Sequence, residues 1–241
     1  MLQRESPDEA MATTLCLTTS KLCALRADMK YFRNYSKSAT AVPWALAVDV
    51  ELEECAEKWP ISYEQRTPTS AEQSDFIYQD YFHVYSSVTV ATIWNEYRRM
   101  RMLCHEIVLQ HLPHLQKHRA DYPEFKLSGQ EIKNQLHDSK IILNSLSQDI
   151  CASVPFYFGL HTNDGGLNAG GLAPKAVCGN LLLRPLYMAA GPRFISNDVQ
   201  KWVTGRFEKI AEVMGVKQAT AMGHLVTIGI DPDEWENTIQ D

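Results

Sequence analysis

The sequence predicts an all-α protein, an irregular multi-helix domain around a long central helix. Apolar residues recur at three- and four-residue steps along most of the chain, and strand-type alternation with hairpin turns is absent. Prolines and glycines separate the periodic segments. Of the 241 residues, 45% are hydrophobic and 22% are charged, a balance typical of globular proteins. We therefore expect one domain over residues 1–241.

Charge and hydropathy exclude several classes of protein. The formal net charge of −6 provides no overall basic field to attract nucleic-acid phosphates or an anionic membrane. No apolar run approaches the roughly 20 residues that span a bilayer. The first ten residues, MLQRESPDEA, lack the apolar stretch of a secretory signal. We expect an intracellular chain that has no membrane partner.

Two helices are predicted in the first 60 residues. The first covers about residues 10–35, and the second begins at Pro43 and is stopped by Pro60. Residues 60–73 have little apolar content and are predicted to be a linker or surface loop. The apolar residues that define the second helix are Leu46, Val50, Cys55 and Trp59.

The central helix is predicted from about residue 74 to residue 112, with Pro113 at its end. Its apolar residues, among them Ile77, Phe82 and Tyr85, cover more than one face and keep no strict heptad. This pattern favours a buried helix over a coiled coil. A polar connection follows over residues 113–127.

Capping signals define the next helix. Ser128 lies three residues before Glu131, the spacing of a capping box, and the apolar stripe continues to Pro155. Residues 161–171, HTNDGGLNAGG, are predicted to be a flexible loop.

Three further segments complete the chain. One helix begins at Pro174, is kinked by Pro185 and closes at Gly191, and the next is capped by Ser196 and ends near Gly215. A last amphipathic helix covers about residues 217–228, and an acidic tail occupies residues 231–241.

Six cysteines invite comparison with a binuclear zinc cluster, but their spacing contradicts it. The closest pair, Cys16 and Cys23, is seven positions apart and no Cys-x-x-Cys occurs. Most lie in apolar helical patterns, where a free cysteine behaves as a small hydrophobic residue. Buried structural thiols are predicted, and no metal site.

The histidines were tested as metal ligands. His105 and Glu106 begin like the zinc-protease motif H-E-x-x-H, but Leu109 occupies the fifth position. A second group, His111, His114 and His118, has helical spacing. It fits either a surface metal site or imidazoles near a helix C-terminus, and Pro113 interrupts the helix that a metal site needs.

A basic group lies in the central helix. Arg98, Arg99 and Arg101, beside Trp94 and Tyr97, fit either a nucleic-acid contact or a solvated face with intrahelical pairing. Nearby acidic residues favour the second interpretation. We predict no catalytic residue, no cofactor-binding residue and no metal ligand, and hence no enzyme.

Five segments resemble the fungal-specific transcription factor domain, the regulatory part of Zn₂Cys₆ regulators. The longest match, DICASVPFYFG, agrees with the pattern D-I-C-A-S-V-P-F-x-x-G, and IWNEYRRMRMLCHEI resembles W-N-x-Y-R-x-x-R-x-x-L-x-E-I. Arg184 departs from the pattern, since an aromatic residue often precedes that proline. The five segments are residues 49–59, 93–107, 149–159, 181–191 and 214–219.

The resemblance implies an α-helical regulatory module in the nucleus. Its partners would be another copy of itself or a related regulator, the transcription machinery and a small-molecule effector. DNA would be contacted only through a zinc cluster that this sequence does not contain, and no cofactor is implied. We expect an effector or partner surface where two of the matching segments meet, at Pro155, Phe156, Phe158 and Tyr187.

Two alternatives stay open. One is an α-helical domain of secondary metabolism that binds or converts a small molecule, suggested by the tryptophan- and tyrosine-rich interior. The other is a diverged regulator that acts as a co-repressor through heterodimers.

Overall fold

The structure is a computed structural model that describes residues 13, 15–24, 27, 38–70, 74–160, 175–191 and 195–229. The predicted loop at 161–171 and the predicted acidic tail at 231–241 lie outside the described residues.

The described residues confirm the all-α class. They contain two isolated antiparallel bridges but no strand. Short 3₁₀ turns occur at Ile61–Tyr63 and Arg119–Asp121. The helices are α1 (15–24), α2 (Ser38–Glu57), α3 (Val88–Lys117), α4 (Gly129–Tyr157), α5 (Ala176–Ala190), α6 (Asn197–Met214) and α7 (Gln218–Ile228).

The chain divides into two compact units. Unit 1 comprises residues 1–62 and 100–143, and unit 2 comprises residues 63–99 and 144–241. Each unit is therefore built from two separated stretches of chain.

In unit 1, helix α2 begins before the predicted start at Pro43 and presents a different face. Pro43 is exposed within the helix, where it lacks only the donor that would reach the carbonyl of Ala39. Val50, predicted in the apolar stripe, is exposed. The buried face is a row of small and branched residues at helical spacing, namely Ala41, Val42, Ala45, Val48, Leu52 and Cys55.

In unit 2, the prediction that the central helix begins at about residue 74 is wrong, because α3 begins at Val88. Residues 74–87 form turns and bridges, because Gln79 has a φ of 67° that no right-handed helix accommodates. The antiparallel bridges join Arg66 to Val84 and Thr69 to Tyr81. The apolar residues that suggested a helix, Ile77, Phe82 and Tyr85, are buried without being helical.

Helix α3 begins at a cap that the sequence reading missed. The side-chain oxygen of Ser87 accepts a hydrogen bond from the backbone nitrogen of Val90 at 3.2 Å. At the other end, α3 continues through Pro113 to Lys117, so the predicted end is wrong. Leu112 and Leu115, on either side of the proline, are fully buried, and their packing offsets the lost backbone bond.

Other helix ends confirm the local rules. Ser128 and Glu131 bond reciprocally, at 2.7 Å and 3.2 Å, at the start of α4. The side chain of Ser196 accepts a bond from Val199, and Gly215 is left-handed at the end of α6. Like Pro113, Pro155 lies inside its helix, since α4 continues to Tyr157.

Helices α5, α6 and α7 of unit 2 pack against one another, and α5 lies especially close to the end of α6 at Gly179. A Cβ atom added to Gly179 would lie 2.7 Å from Met214 Sδ and 3.0 Å from methyl groups of Ile210 and Val216. Glycine therefore sets the spacing between α5 and the end of α6.

Candidate functional site

Helix α3 carries four polar residues into the protein interior. Asn95, Arg98, Arg101 and His105 are all buried, and each has hydrogen-bond partners on another segment of the chain. Buried polar groups require such partners because unpaired ones are costly. Residues before 100 belong to a network in unit 2, and those from 100 onward belong to a network in unit 1.

The network of unit 1 is centred on Asp49 of α2. Arg101 Nε donates to Oδ1 at 2.6 Å and Arg101 Nη2 donates to Oδ2 at 2.9 Å, the two-pronged geometry that guanidinium favours. Glu53 lies 2.8 Å from Arg101 Nη2, and His105 Nε2 lies 3.2 Å from Asp49 Oδ2.

Asp49 is ionised within this network. Burial alone would raise the pKa of its carboxyl, but the hydrogen bonds from His105 and Arg101 together outweigh that effect and hold the pKa below 3.8. Burial also raises the pKa of the neighbouring Cys104 thiol, and the charge of Asp49 adds to the rise. Cys104 is therefore an inert thiol at neutral pH.

His105 links Asp49 to a serine, an order of groups also found in hydrolases. Its Nδ1 lies 3.1 Å from Ser139 Oγ, which also accepts a hydrogen bond from Gln135. Ser139 is fully buried, as is nearly all of His105. The hydroxyl therefore holds the imidazole in place and is out of reach of a substrate in this structure.

The network of unit 2 surrounds Arg98, which is only 2% exposed. Its Nη1 donates to Tyr85 Oη and Asn95 Oδ1, both at 2.8 Å, and its Nη2 donates to Gln65 Oε1. The guanidinium also lies 5.4 Å from the centre of the Trp94 ring. Arg98 of α3 thus holds Gln65 and Tyr85, which precede the helix in sequence, against α3.

His83 lies beside this guanidinium group. Its Nδ1 is 3.0 Å from Gln65 Nε2 and 3.1 Å from Thr67 Oγ1, and its Nε2 is 3.4 Å from Asp149 Oδ1. Because Arg98 donates to the oxygen of the Gln65 amide, the NH₂ of that amide faces His83. The NH₂ group lies 3.0 Å from Nδ1 and 3.4 Å from Nε2, but Nε2 also faces the Asp149 carboxylate, which can only accept. Nε2 therefore carries the proton, and Nδ1 is the acceptor.

Burial lowers the pKa of His83 below 6.5, and the Arg98 charge acts in the same direction against the opposing effect of Asp149. The imidazole is therefore neutral at pH 7. Burial likewise raises the pKa of Tyr85 to about 12 and that of Tyr81 to about 12. Both phenols keep their protons.

Two further contacts of unit 2 connect α3 with α4. Asn95 Nδ2 donates to Ser153 Oγ at 2.9 Å, and the Thr92 and Tyr157 hydroxyls lie 3.2 Å apart. The backbone nitrogen of His83 donates to the carbonyl of Ala152 at 2.8 Å. These bonds hold the bridged segment and both helices in one arrangement.

The predicted effector or partner surface lies in the interior of unit 2. Pro155, Phe156, Phe158 and Tyr187 are all buried. The ring of Phe156 lies 5.2 Å from that of Tyr85, and the ring of Phe158 lies 4.7 Å from that of Phe76. These contacts are core packing.

The basic group of the central helix is neither a solvated face nor an open nucleic-acid site. Arg98, Arg99 and Arg101 are all buried. The predicted intrahelical pairing is confirmed for Arg99, whose Nη2 lies 2.6 Å from Glu96 Oε2.

The histidines at the end of α3 differ from one another. His111 is buried, its Nδ1 lies 2.8 Å from Ser38 Oγ, and burial lowers its pKa to about 4. The rings of His114 and His118 stack 4.4 Å apart because the helix continues through Pro113. Within the described ranges, no three histidine, cysteine or acidic side chains are arranged to hold a metal ion.

The cysteines divide into two classes. The buried ones are Cys55, Cys104, Cys151 and Cys178, whereas Cys16 and Cys23 are exposed, contrary to the expectation for that pair. All six are free thiols.

The pairing of His83 with Thr67 and Asp149 was missed in the sequence. These three residues lie far apart along the chain, and no spacing motif connects them. Comparisons with protein families, curated proteins and solved structures gave no match to this chain. Among the helices that the structure describes, none combines the length and apolar character needed to cross a bilayer.

Proposed function

We propose that this chain is the regulatory domain of a fungal Zn₂Cys₆-type transcription factor, a nuclear module that does not itself contact DNA. It controls transcription through intramolecular, dimer or cofactor contacts and has no catalytic role in that process. DNA is reached only through a zinc cluster outside this sequence.

One observation supports the proposal most directly: three of the five segments that resemble this family bond to one another. In unit 1, Asp49 of segment 49–59 binds Arg101 and His105 of segment 93–107. In unit 2, Asn95 of segment 93–107 binds Ser153 of segment 149–159. The polar positions of the resembling patterns are therefore structural contacts, as expected if the patterns specify a fold.

The other two segments contact residues that lie outside the five segments. The carbonyl of Ala189, in segment 181–191, accepts a hydrogen bond from Ser147 Oγ at 2.7 Å. Met214 and Val216, in segment 214–219, approach Gly179 of α5 closely. All five resembling segments thus take part in contacts that build the two units.

Charge supports a role away from DNA. The net charge of −6 opposes phosphate binding, and the three arginines of the central helix are buried. Partners of this domain are expected to be proteins, another copy or a related regulator among them, and a small-molecule effector.

The test is a reporter assay in a fungal host. The chain is fused to a heterologous zinc cluster, and reporter output is compared with that of the zinc cluster alone. We expect the fusion to change the output, and Asn95→Ala, which removes the hydrogen bonds of Asn95 to Ser153 and Arg98, to abolish that change. The matched control is Asn134→Ala, which removes an exposed amide bonded only to Gln130.

Two outcomes would contradict the proposal. One is reporter output equal to that of the zinc cluster alone. The other is specific retardation of promoter DNA by this chain without any zinc cluster.

The second candidate is a small-molecule-binding or catalytic helical domain. It is favoured by the aromatic rings around Arg98, because Tyr85 and Trp94 flank a buried cation whose hydrogen-bond partners among the described residues are neutral. A thermal-shift screen against fungal metabolites, followed by turnover assays, separates binding from catalysis. The co-repressor alternative predicts a dimer by sedimentation, and a strict monomer at high concentration would exclude it.

A further inference from the structure

Thr67 combines an exposed position with a hydrogen bond to a neutral imidazole. Its Oγ1 lies 3.1 Å from Nδ1 of His83. Nε2 of the same ring lies 3.4 Å from Asp149 Oδ1. Hydroxyl, imidazole and carboxylate therefore follow one another as they do in enzymes with an activated hydroxyl nucleophile.

Access distinguishes this arrangement from the one at Ser139. Thr67 is exposed and the side chain of Asp149 is 33% exposed, whereas Ser139 is fully buried. Thr67 therefore lies at the surface of unit 2, whereas Ser139 lies in the interior of unit 1.

The protonation states also suit activation. The Arg98–Gln65 bond orients the Gln65 amide, which leaves Nδ1 of His83 as the acceptor and Nε2–H directed at Asp149. Gln65 Nε2 shares this acceptor, and it also lies 3.3 Å from Thr67 Oγ1. Its N–H groups are directed at His83 Nδ1 and at Thr67 Oγ1, so the amide orients the hydroxyl beside the imidazole.

We propose that Thr67 is a nucleophilic hydroxyl, activated by His83 and Asp149, that accepts an acyl group from small activated esters. This inference does not depend on the proposed regulatory function, because it concerns one hydroxyl of unit 2 and no partner protein.

The reaction is a single acyl transfer without change of oxidation state. Thr67 Oγ1 forms a bond to the carbonyl carbon of the ester, and its proton moves to Nδ1 of His83. The bond between that carbon and the leaving oxygen breaks, and the leaving group takes the electron pair. Asp149 stabilises the imidazolium of His83. The imidazolium then gives the proton on Nδ1 to the leaving group or to solvent. The product is an ester on Thr67.

The test uses the full chain with p-nitrophenyl acetate at pH 7.5. Peptide mapping by mass spectrometry locates the acetyl group, and hydroxylamine sensitivity distinguishes an ester from acetylated lysine. We expect an ester on Thr67 whose formation slows at least about 100-fold in His83→Gln, the effect typical of losing a general base. Asp149→Asn should slow it as well, because the imidazolium loses its partner.

The pH profile provides a readout that a structural role would not change. The rate should fall as the pH drops through the pKa of His83, because an imidazolium accepts no proton. The groups facing this ring are Asp149 from α4, Arg98 from α3 and the rings of Tyr81 and Tyr85 from the bridged segment. Both phenols are neutral throughout the assay range, so the inflection reports His83.

Thr69→Ala is the matched control, since Thr69 is an exposed threonine of the same segment without a bond to His83. It should leave the rate at Thr67 unchanged. The proposal is overturned if no ester forms on Thr67, or if the rate is unchanged in Asp149→Asn. The second variant removes only a partly exposed charge, so it remains informative even where His83→Gln unfolds.

Discussion

Asp49 and Arg101 are 52 positions apart in sequence, yet the guanidinium of Arg101 donates two hydrogen bonds to both carboxylate oxygens of Asp49. Both side chains are buried. A buried ion pair contributes little net stability relative to apolar residues of the same shape, but losing one partner leaves a buried charge that is strongly destabilising. The pair therefore specifies how α2 and the second stretch of unit 1 combine.

Asp49→Asn should lower the free energy of unfolding by about 3 kcal/mol, because Arg101 keeps its charge and loses its buried partner. Urea denaturation followed by circular dichroism measures this change. Glu53→Gln is the control, since Glu53 also pairs with Arg101 but is 51% exposed, and it should cost less than about 1 kcal/mol. Equal effects of the two substitutions would contradict the importance of burial.

His111 should make stability depend on pH between about 4 and 6.5. Its pKa is lowered to about 4 in the folded chain, so the unfolded chain binds more protons in this range and stability falls as the pH falls. We expect a loss of about 3 kcal/mol from this residue on the way from pH 7 to pH 4.

His111→Gln should flatten that part of the pH profile, as measured by denaturation at a series of pH values. His137→Gln removes an exposed histidine and should leave the profile unchanged. A His111→Gln profile identical to that of the parent chain would show that this ring titrates normally.

Ser128→Ala should lower the free energy of unfolding by about 1 kcal/mol, because the first turn of α4 loses the bond to the Glu131 backbone nitrogen. Thermal or urea denaturation measures the change. Ser145→Ala, at an exposed position inside the same helix, should be neutral or slightly stabilising. The same loss at both serines would mean that capping is not the cause.

Gly179→Ala should lower stability by about 1 to 2 kcal/mol, since the new methyl would meet Met214, Ile210 and Val216 at or below contact distance. Gly205→Ala in α6 is the control, because no atom lies within 4 Å of its added Cβ. That control should raise stability by up to about 1 kcal/mol. A stabilised Gly179→Ala chain would show that α5 and α6 separate easily.

Local rules predicted much of the helical frame. Ser128 with Glu131, Ser196 and Gly215 each satisfy backbone groups within a few residues, so their effect can be read from a short window. The non-helical segment that precedes α3 could not be predicted in this way. Ile77 and Phe82 continue an apolar pattern, and what decides their structure is pairing with residues 66–69 on an earlier segment.

The candidate sites were less predictable than the helices. His83 meets Asp149 and Thr67 only because the bridged segment packs on α4, where the carbonyl of Ala152 accepts its backbone hydrogen. Arg98 and Arg101 looked like surface charges because sequence gives no sign of the partners Gln65 and Asp49. The predicted end of α3 at Pro113 is wrong for a similar reason. The helix continues because Leu112 and Leu115 are buried by tertiary packing, which the local sequence does not show.

The interleaved order of the two units has a consequence for how the protein is made. Domains generally fold as they emerge from the ribosome, amino-terminal parts first. Here unit 1 cannot be completed until residues 100–143 have been synthesised. Unit 2 cannot be completed until residues 144–241 have been synthesised. A chain cut after residue 99 would contain the first stretch of each unit and the whole of neither.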